Sequence, residues 1–146
     1  MKVLFTTSNK IGSRVIRKVT GEPVSHCALQ FECGDYRLVI HAGLHGVEII
    51  PLAWFLQTNQ LLYEISIKED EPRLIDLDVY VKKSYDFMAI LWLGFCFLIN
   101  CRPSRNNWAV KKAHMCTELV TEILYGEADS VITPYGLYLK LKEQHK

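Results

Sequence analysis

Five cysteines and five histidines are the residues of this chain best suited to covalent chemistry, and their spacing separates three of them from the rest. Cys116 precedes Leu119, Val120, Ile123 and Leu124, an apolar pattern that predicts a helix face, with Gly126 placed to end the helix. A thiol at a helix start meets unpaired amides and the positive end of the helix dipole. Both favour the thiolate, and the amides can also donate to a developing oxyanion. His26 and His41 lie on either side of Glu32-Cys33-Gly34-Asp35, which reads as a hairpin loop. If the loop is Cys33-Gly34, or all four residues, His26 lies directly opposite His41. If it is Gly34-Asp35, His41 faces Ala28 and His26 becomes a diagonal neighbour. Either arrangement puts the two imidazoles on one side of a sheet. One ring can then fix the tautomer of the other, whose free nitrogen takes the proton of a nearby thiol. This is the division of labour of a catalytic triad, with Cys116 as nucleophile, His26 as base and His41 as the orienting group.

The other candidates read as structural. Cys27 follows His26 and projects from the opposite sheet face, and Cys33, Cys96 and Cys101 read as packing residues. His45 and His114 read as loop or surface residues. His26, His41, His114 and Cys116 include usable zinc ligands, but no close pair recurs with zinc-site spacing. No metal and no cofactor are expected.

The elements that must position these groups follow from the same pattern. Val3 to Thr6 is a short apolar stretch. Ser8 or Asn9 could cap a helix carrying Ile11, Val15, Ile16 and Val19 on one face, ended at Thr20-Gly21. Arg14, Arg17 and Lys18 fall towards its other face, as a solvated surface would have them. Val24 to Phe31, Tyr36 to Ala42, Gly46 to Ile50 and Leu61 to Ile67 read as strands, with a helical turn over Pro51 to Thr58. They predict an antiparallel meander of three or four strands. Ile75 to Lys83 reads as a helix or connector, the apolar Phe87 to Ile99 as a buried helix, and Asn100 to Asn107, with Arg102 and Arg105, as a loop. A last helix starts at Thr133-Pro134, Thr as cap and Pro in the first turn. The order predicts one α+β domain over 1–146.

Composition sets the bounds. The 146 residues suffice for one core without disulfide or metal staples, and a formal net charge of +1 offers no field to attract nucleic acid. The odd number of scattered cysteines reads as free thiols, and the first residues lack a secretory h-region, which together point to the cytoplasm. The Phe87 to Ile99 run is shorter than the roughly 18 to 20 residues of a membrane-spanning helix. Membrane contact is not the favoured expectation, and oligomeric state is not set by these features.

Taken in order, Ser25-His26-Cys27-Ala28-Leu29, Val39-Ile40-His41-Ala42 with Gly46-Val47, Tyr85-Asp86-Phe87, and Cys116-Thr117-Glu118-Leu119-Val120 resemble the circularly permuted, YiiX-like branch of the NlpC-type papain-like hydrolases. There the histidine strand precedes the cysteine helix. Thr133-Pro134-Tyr135-Gly136-Leu137 resembles the segment that often follows that helix. The resemblance spans most of the chain, in short motifs whose joint order is the specific part. It implies a permuted papain-like fold, with Cys116 as nucleophile, His26 as base, His41 in the third polar position and Tyr85 beside the cleft as an oxyanion donor. The permuted group often has a glutamate in the third position, so His41 is a departure and Glu48 a reserve for that role. The implied activity is a cysteine amidase or peptidase acting on an amide bond, in a cell-wall peptide for some relatives. A lipid acyltransferase or thioesterase, or a binding module without turnover, is the alternative.

Overall fold

A run that is apolar on both faces belongs inside a sheet rather than at its edge, and this property of the first strand organises the molecule. The computed structural model describes residues 1–43, 45–68, 77, 79–81, 83–86, 94–96, 99 and 113–144. Their elements are β1 (Lys2–Thr7), α1 (Ile11–Thr20), β2 (His26–Cys33), β3 (Tyr36–Gly43), β4 (Gly46–Pro51), α2 (Leu52–Thr58) and β5 (Gln60–Ser66). After these come β6 (Ser84–Tyr85), β7 (Ala113–His114), α3 (Cys116–Tyr125) and α4 (Pro134–Gln144). The class is α+β, as the order of elements predicts.

The main sheet has five antiparallel strands in the order β4-β3-β2-β1-β5. Only β2, β3 and β4 form the expected meander. The N-terminal strand lies between β2 and β5, because Val3 and Phe5 bury on one face and Leu4 on the other. One face, carrying Val3, Phe5, Cys27, Leu29, Ile40 and Ala42, packs against Leu119 and Val120 of α3 and Leu137 and Leu141 of α4. Tyr138 of α4 stacks on Tyr63 of β5 at 4.3 Å between ring centroids and meets Phe5 edge-on at 5.4 Å. The opposite face gathers Leu4, Ala28 and Val39 around Phe55 of α2.

Of the loops considered for the β2-β3 hairpin, the structure has Gly34-Asp35. Cys33 pairs with Tyr36 and Leu29 with Ile40, and Gly34 has φ 58, the positive value that the first residue of a tight two-residue hairpin turn needs. One further step sets Ala28 against His41, with His26 diagonal to it.

Two parts of the molecule depart from expectation. The apolar stripe of α1 was expected to face the core, yet α1 contributes no buried residue. It is seated instead by Ser13, whose hydroxyl lies 2.5 Å from that of Ser25 and 3.4 Å from that of Thr7. Its cap position is Lys10 rather than Ser8 or Asn9, and the Ser8 amide donates to Ser13 Oγ instead. The second departure is the parallel pair β6-β7, which sets Tyr85 beside His114. His114 is buried rather than at the surface, because its Nε2 meets Glu122 Oε2 at 2.5 Å.

β6 is held near the sheet through Gly46. The Val47 amide donates to Lys83 O at 2.9 Å, and a Cβ on Gly46, at φ 108, would lie 2.5 Å from that same oxygen. Only glycine lets the two backbones approach this closely. Part of the Ile75 to Lys83 connector (75, 76, 78 and 82), most of the Phe87 to Ile99 segment and all of Asn100 to Asn107, Cys101 included, lie outside the described residues, although 94–96 are helical.

Candidate active site

The start of α3 is built by its own residues. Met115 is extended, at φ −77 and ψ 165, and Glu118, three residues on, accepts the Met115 amide at 2.7 Å. That closes one half of a capping box and fixes the first turn. Cys116 is the first helical residue, buried at 7% exposure, in the part of a helix whose amides have no partner within the helix.

Three groups act on the Cys116 sulfur. Hydrogen bonding from the Cys27 thiol is the largest influence on it, and the His26 side chain and the Cys27 backbone amide also bond to it. Together with the His26 charge they pull the Cys116 thiol well below its ordinary range, against burial, which acts in the other direction. Burial pushes the Cys27 thiol well up, with Cys116 adding to the rise. Of the two sulfurs Cys116 therefore holds the negative charge, since the imidazole and the helix start act on it directly. Cys27, expected to be a packing residue on the opposite sheet face, nonetheless reaches the Cys116 sulfur. His26 and Cys27 do project from opposite faces, but His26 is the first residue of β2, at the sheet end where α3 begins, so one sulfur meets both.

His41 makes an edge contact with His26, with ring centroids 5.5 Å apart and planes at 87°. Phe55 packs against both rings, at 6.0 Å from His26 and 5.1 Å from His41. The two imidazoles share a face, as the hairpin parity predicts, and Gly43 leaves room behind His41. Neither nitrogen of His41 makes a hydrogen bond, so the expected bond between the rings is not formed here. Burial first, then the charges of His26 and Lys10, hold His41 down to about 3. It is a neutral ring at physiological pH with one free acceptor. Glu48 is its cross-strand partner, with Oε1 3.6 Å from His41 Nε2. The reserve carboxylate thus adjoins His41 across the strand pair.

Tyr85 sits within reach of the Cys116 charge. Burial, together with the negative charges of Cys116, Cys27, Asp86 and Glu118, raises its phenol, which keeps the proton it can donate. Glu118 is itself pushed up to about 7, by burial and then by Asp86, Cys116 and Glu122, against the stabilising bond from Met115. Among the described residues no group of three or more metal-ligating side chains is placed to hold a metal ion.

Cys116, His26, His41 and Tyr85, drawn from four separate stretches of chain, are therefore brought to one end of the sheet. Cys27 and Glu118 join them without having been singled out from sequence. Glu118 had a legible signal, a glutamate three residues after a helix cap. Cys27 had none that survived the rule of alternating faces. No protein-family model and no curated protein matches the chain.

Proposed function

We propose that the chain is a cysteine hydrolase with a permuted papain-like arrangement, cleaving an amide bond through an acyl-thioester. The observation that supports this best is the Cys116 sulfur, buried at a helix start, lowered in pKa and bonded by His26. In the first step the sulfur attacks the carbonyl carbon, and the proton it gave up to His26 passes to the leaving amine as the C–N bond breaks. Water, deprotonated by His26, then attacks the thioester carbonyl and releases the acid and the Cys116 thiol. The Cys116 amide and the Tyr85 hydroxyl stabilise the oxyanion in both steps. His41, neutral and backed by Glu48, accepts the second N–H of His26 once the ring turns towards it. The four described cysteines are free thiols, which supports a reducing compartment such as the cytoplasm.

Iodoacetamide labelling across pH, with mapping of the modified peptides, tests the activated thiol. Cys116 should react faster than Cys27 and Cys33 near neutral pH. Cys116→Ala should stay folded and lose hydrolysis of a panel of peptide and acyl substrates. Turnover unchanged in that variant would remove the assignment.

A further inference from the structure

The feature of the molecule that the proposed chemistry does not use is the outer side of α1. Its ten residues contain four hydrophobic ones, Ile11, Val15, Ile16 and Val19, and none of them is buried. The small hydroxyls do the seating: Ser13 bonds towards Ser25 and Thr7, and Thr20 turns back to its own helix at Ile16 O. In consequence the stripe is rotated off the core, leaving Ile11 at 79% and Val15 at 54% exposure. These two are one helical turn apart and share a face. An isolated exposed aliphatic residue needs no explanation, but this pair has company. Arg14 and Lys18, expected towards the other face, are exposed at i+3 from Ile11 and Val15 and so share their side of the helix, Lys10 is exposed just before it, and α1 contains no acidic residue. Trp54, at 64% exposure, stands on α2 next to Phe55, which packs on His26 and His41, and Lys10 is close enough for its charge to reach His41. Lys10 directly precedes the apolar pair in sequence, and Trp54 directly precedes Phe55.

We propose that α1 is an interfacial element that docks on an anionic phospholipid surface. Ile11 and Val15 enter the headgroup region, Lys10, Arg14 and Lys18 meet lipid phosphates, and the exposed Trp54 of α2 is a second anchor. The charge pattern selects this occupant: an exposed apolar pair on a helix that carries cations and no acidic residue complements a surface that is apolar below and negative above. A second copy of the chain would bring the same cations against each other. The proposal is independent of the cysteine chemistry, since none of these six residues is among the groups that act on the Cys116 sulfur, and its test needs no substrate.

Flotation of the protein with vesicles of phosphatidylcholine alone, and of phosphatidylcholine with phosphatidylserine, reads the binding. The protein should float with the anionic vesicles, remain behind with the neutral ones, and be released as salt is raised. Ile11→Asp with Val15→Asp, and separately Arg14→Glu with Lys18→Glu, should each weaken binding by on the order of tenfold or more. All four positions are exposed, so thermal unfolding should match the parent chain and show that the variants are folded. The fluorescence blue shift on vesicle addition should shrink in Trp54→Phe. Failure to float with anionic vesicles overturns the proposal, as does binding that Ile11→Asp with Val15→Asp leaves unchanged. A dimer seen by light scattering without vesicles, and dissolved by those substitutions, assigns the face to a second copy instead.

Discussion

At the scale of single residues, the Cys116 sulfur depends on a neighbour that is not an acid or a base in the usual scheme. Hydrogen bonding from the Cys27 thiol is the largest influence lowering it, so removing that donor should cost the thiolate part of its stabilisation. Cys27→Ala is expected to raise the pH midpoint of iodoacetamide reaction at Cys116. Cys27→Ser, which keeps a donor, should restore most of it. An unchanged midpoint in Cys27→Ala would show that the thiol pair is only a packing contact. The triad candidates were legible because each is a chemically distinctive residue with a definite place in a strand or at a helix start. Cys27 was not, because strand parity describes the middle of a sheet, and at the first residue of β2 an approaching helix end touches both sides. His114 was misjudged for a related reason: its burial is made by Glu122, a partner one helix away that no local pattern announces.

At the scale of elements, the hairpin, the helix started by Cys116 and the helix started by Pro134 follow from periodicity and from turn residues. The site's second layer depends on contacts between distant segments. Gly46 is the clearest of these, since its missing side chain allows Lys83 O to reach the Val47 amide, and Tyr85 follows two residues later. Gly46→Ala combines a positive φ with a Cβ 2.5 Å from a backbone oxygen. It should destabilise the protein by on the order of 2 kcal/mol, measured by urea unfolding. It should also displace Tyr85, so turnover should fall more than the folded fraction does. The sequence showed Gly46 only as punctuation before a strand. What the glycine admits, a carbonyl from a connector far along the chain, is a tertiary fact. α1 marks the opposite case, in which the amphipathic pattern was legible and the assumption that its apolar side meets the core was not correct.

At the scale of the whole molecule, two buried groups give stability a particular dependence on pH. His41 falls from 6.5 unfolded to about 3 folded. Between those values the unfolded chain binds the extra proton, and stability rises with pH by about 1.4 kcal/mol per unit. Glu118 rises from 4.5 to about 7. There the folded chain holds the extra proton, and stability falls with pH at a similar rate. From pH 4.5 to 6.5 the two contributions oppose each other. Urea titrations across this window should show Glu118→Gln gaining stability with rising pH relative to the parent chain, and His41→Gln losing it. Parallel curves for all three proteins would show that neither group is perturbed by folding. None of this was legible in a near-zero net charge, which reports the number of charged groups and not their burial.

The central place of β1 also bears on how the chain is made. β1 pairs with β2 on one side, Lys2 against Gln30, and with β5 on the other, Lys2 against Ser66. On a chain emerging from the ribosome with its N-terminus first, β2, β3 and β4 can zip into hairpins from neighbouring residues. The far side of β1 stays an open row of amides and carbonyls until Gln60–Ser66 has been synthesised. Of these five strands the one translated earliest is thus completed late, and among the described residues it alone pairs β5 with the rest of the sheet.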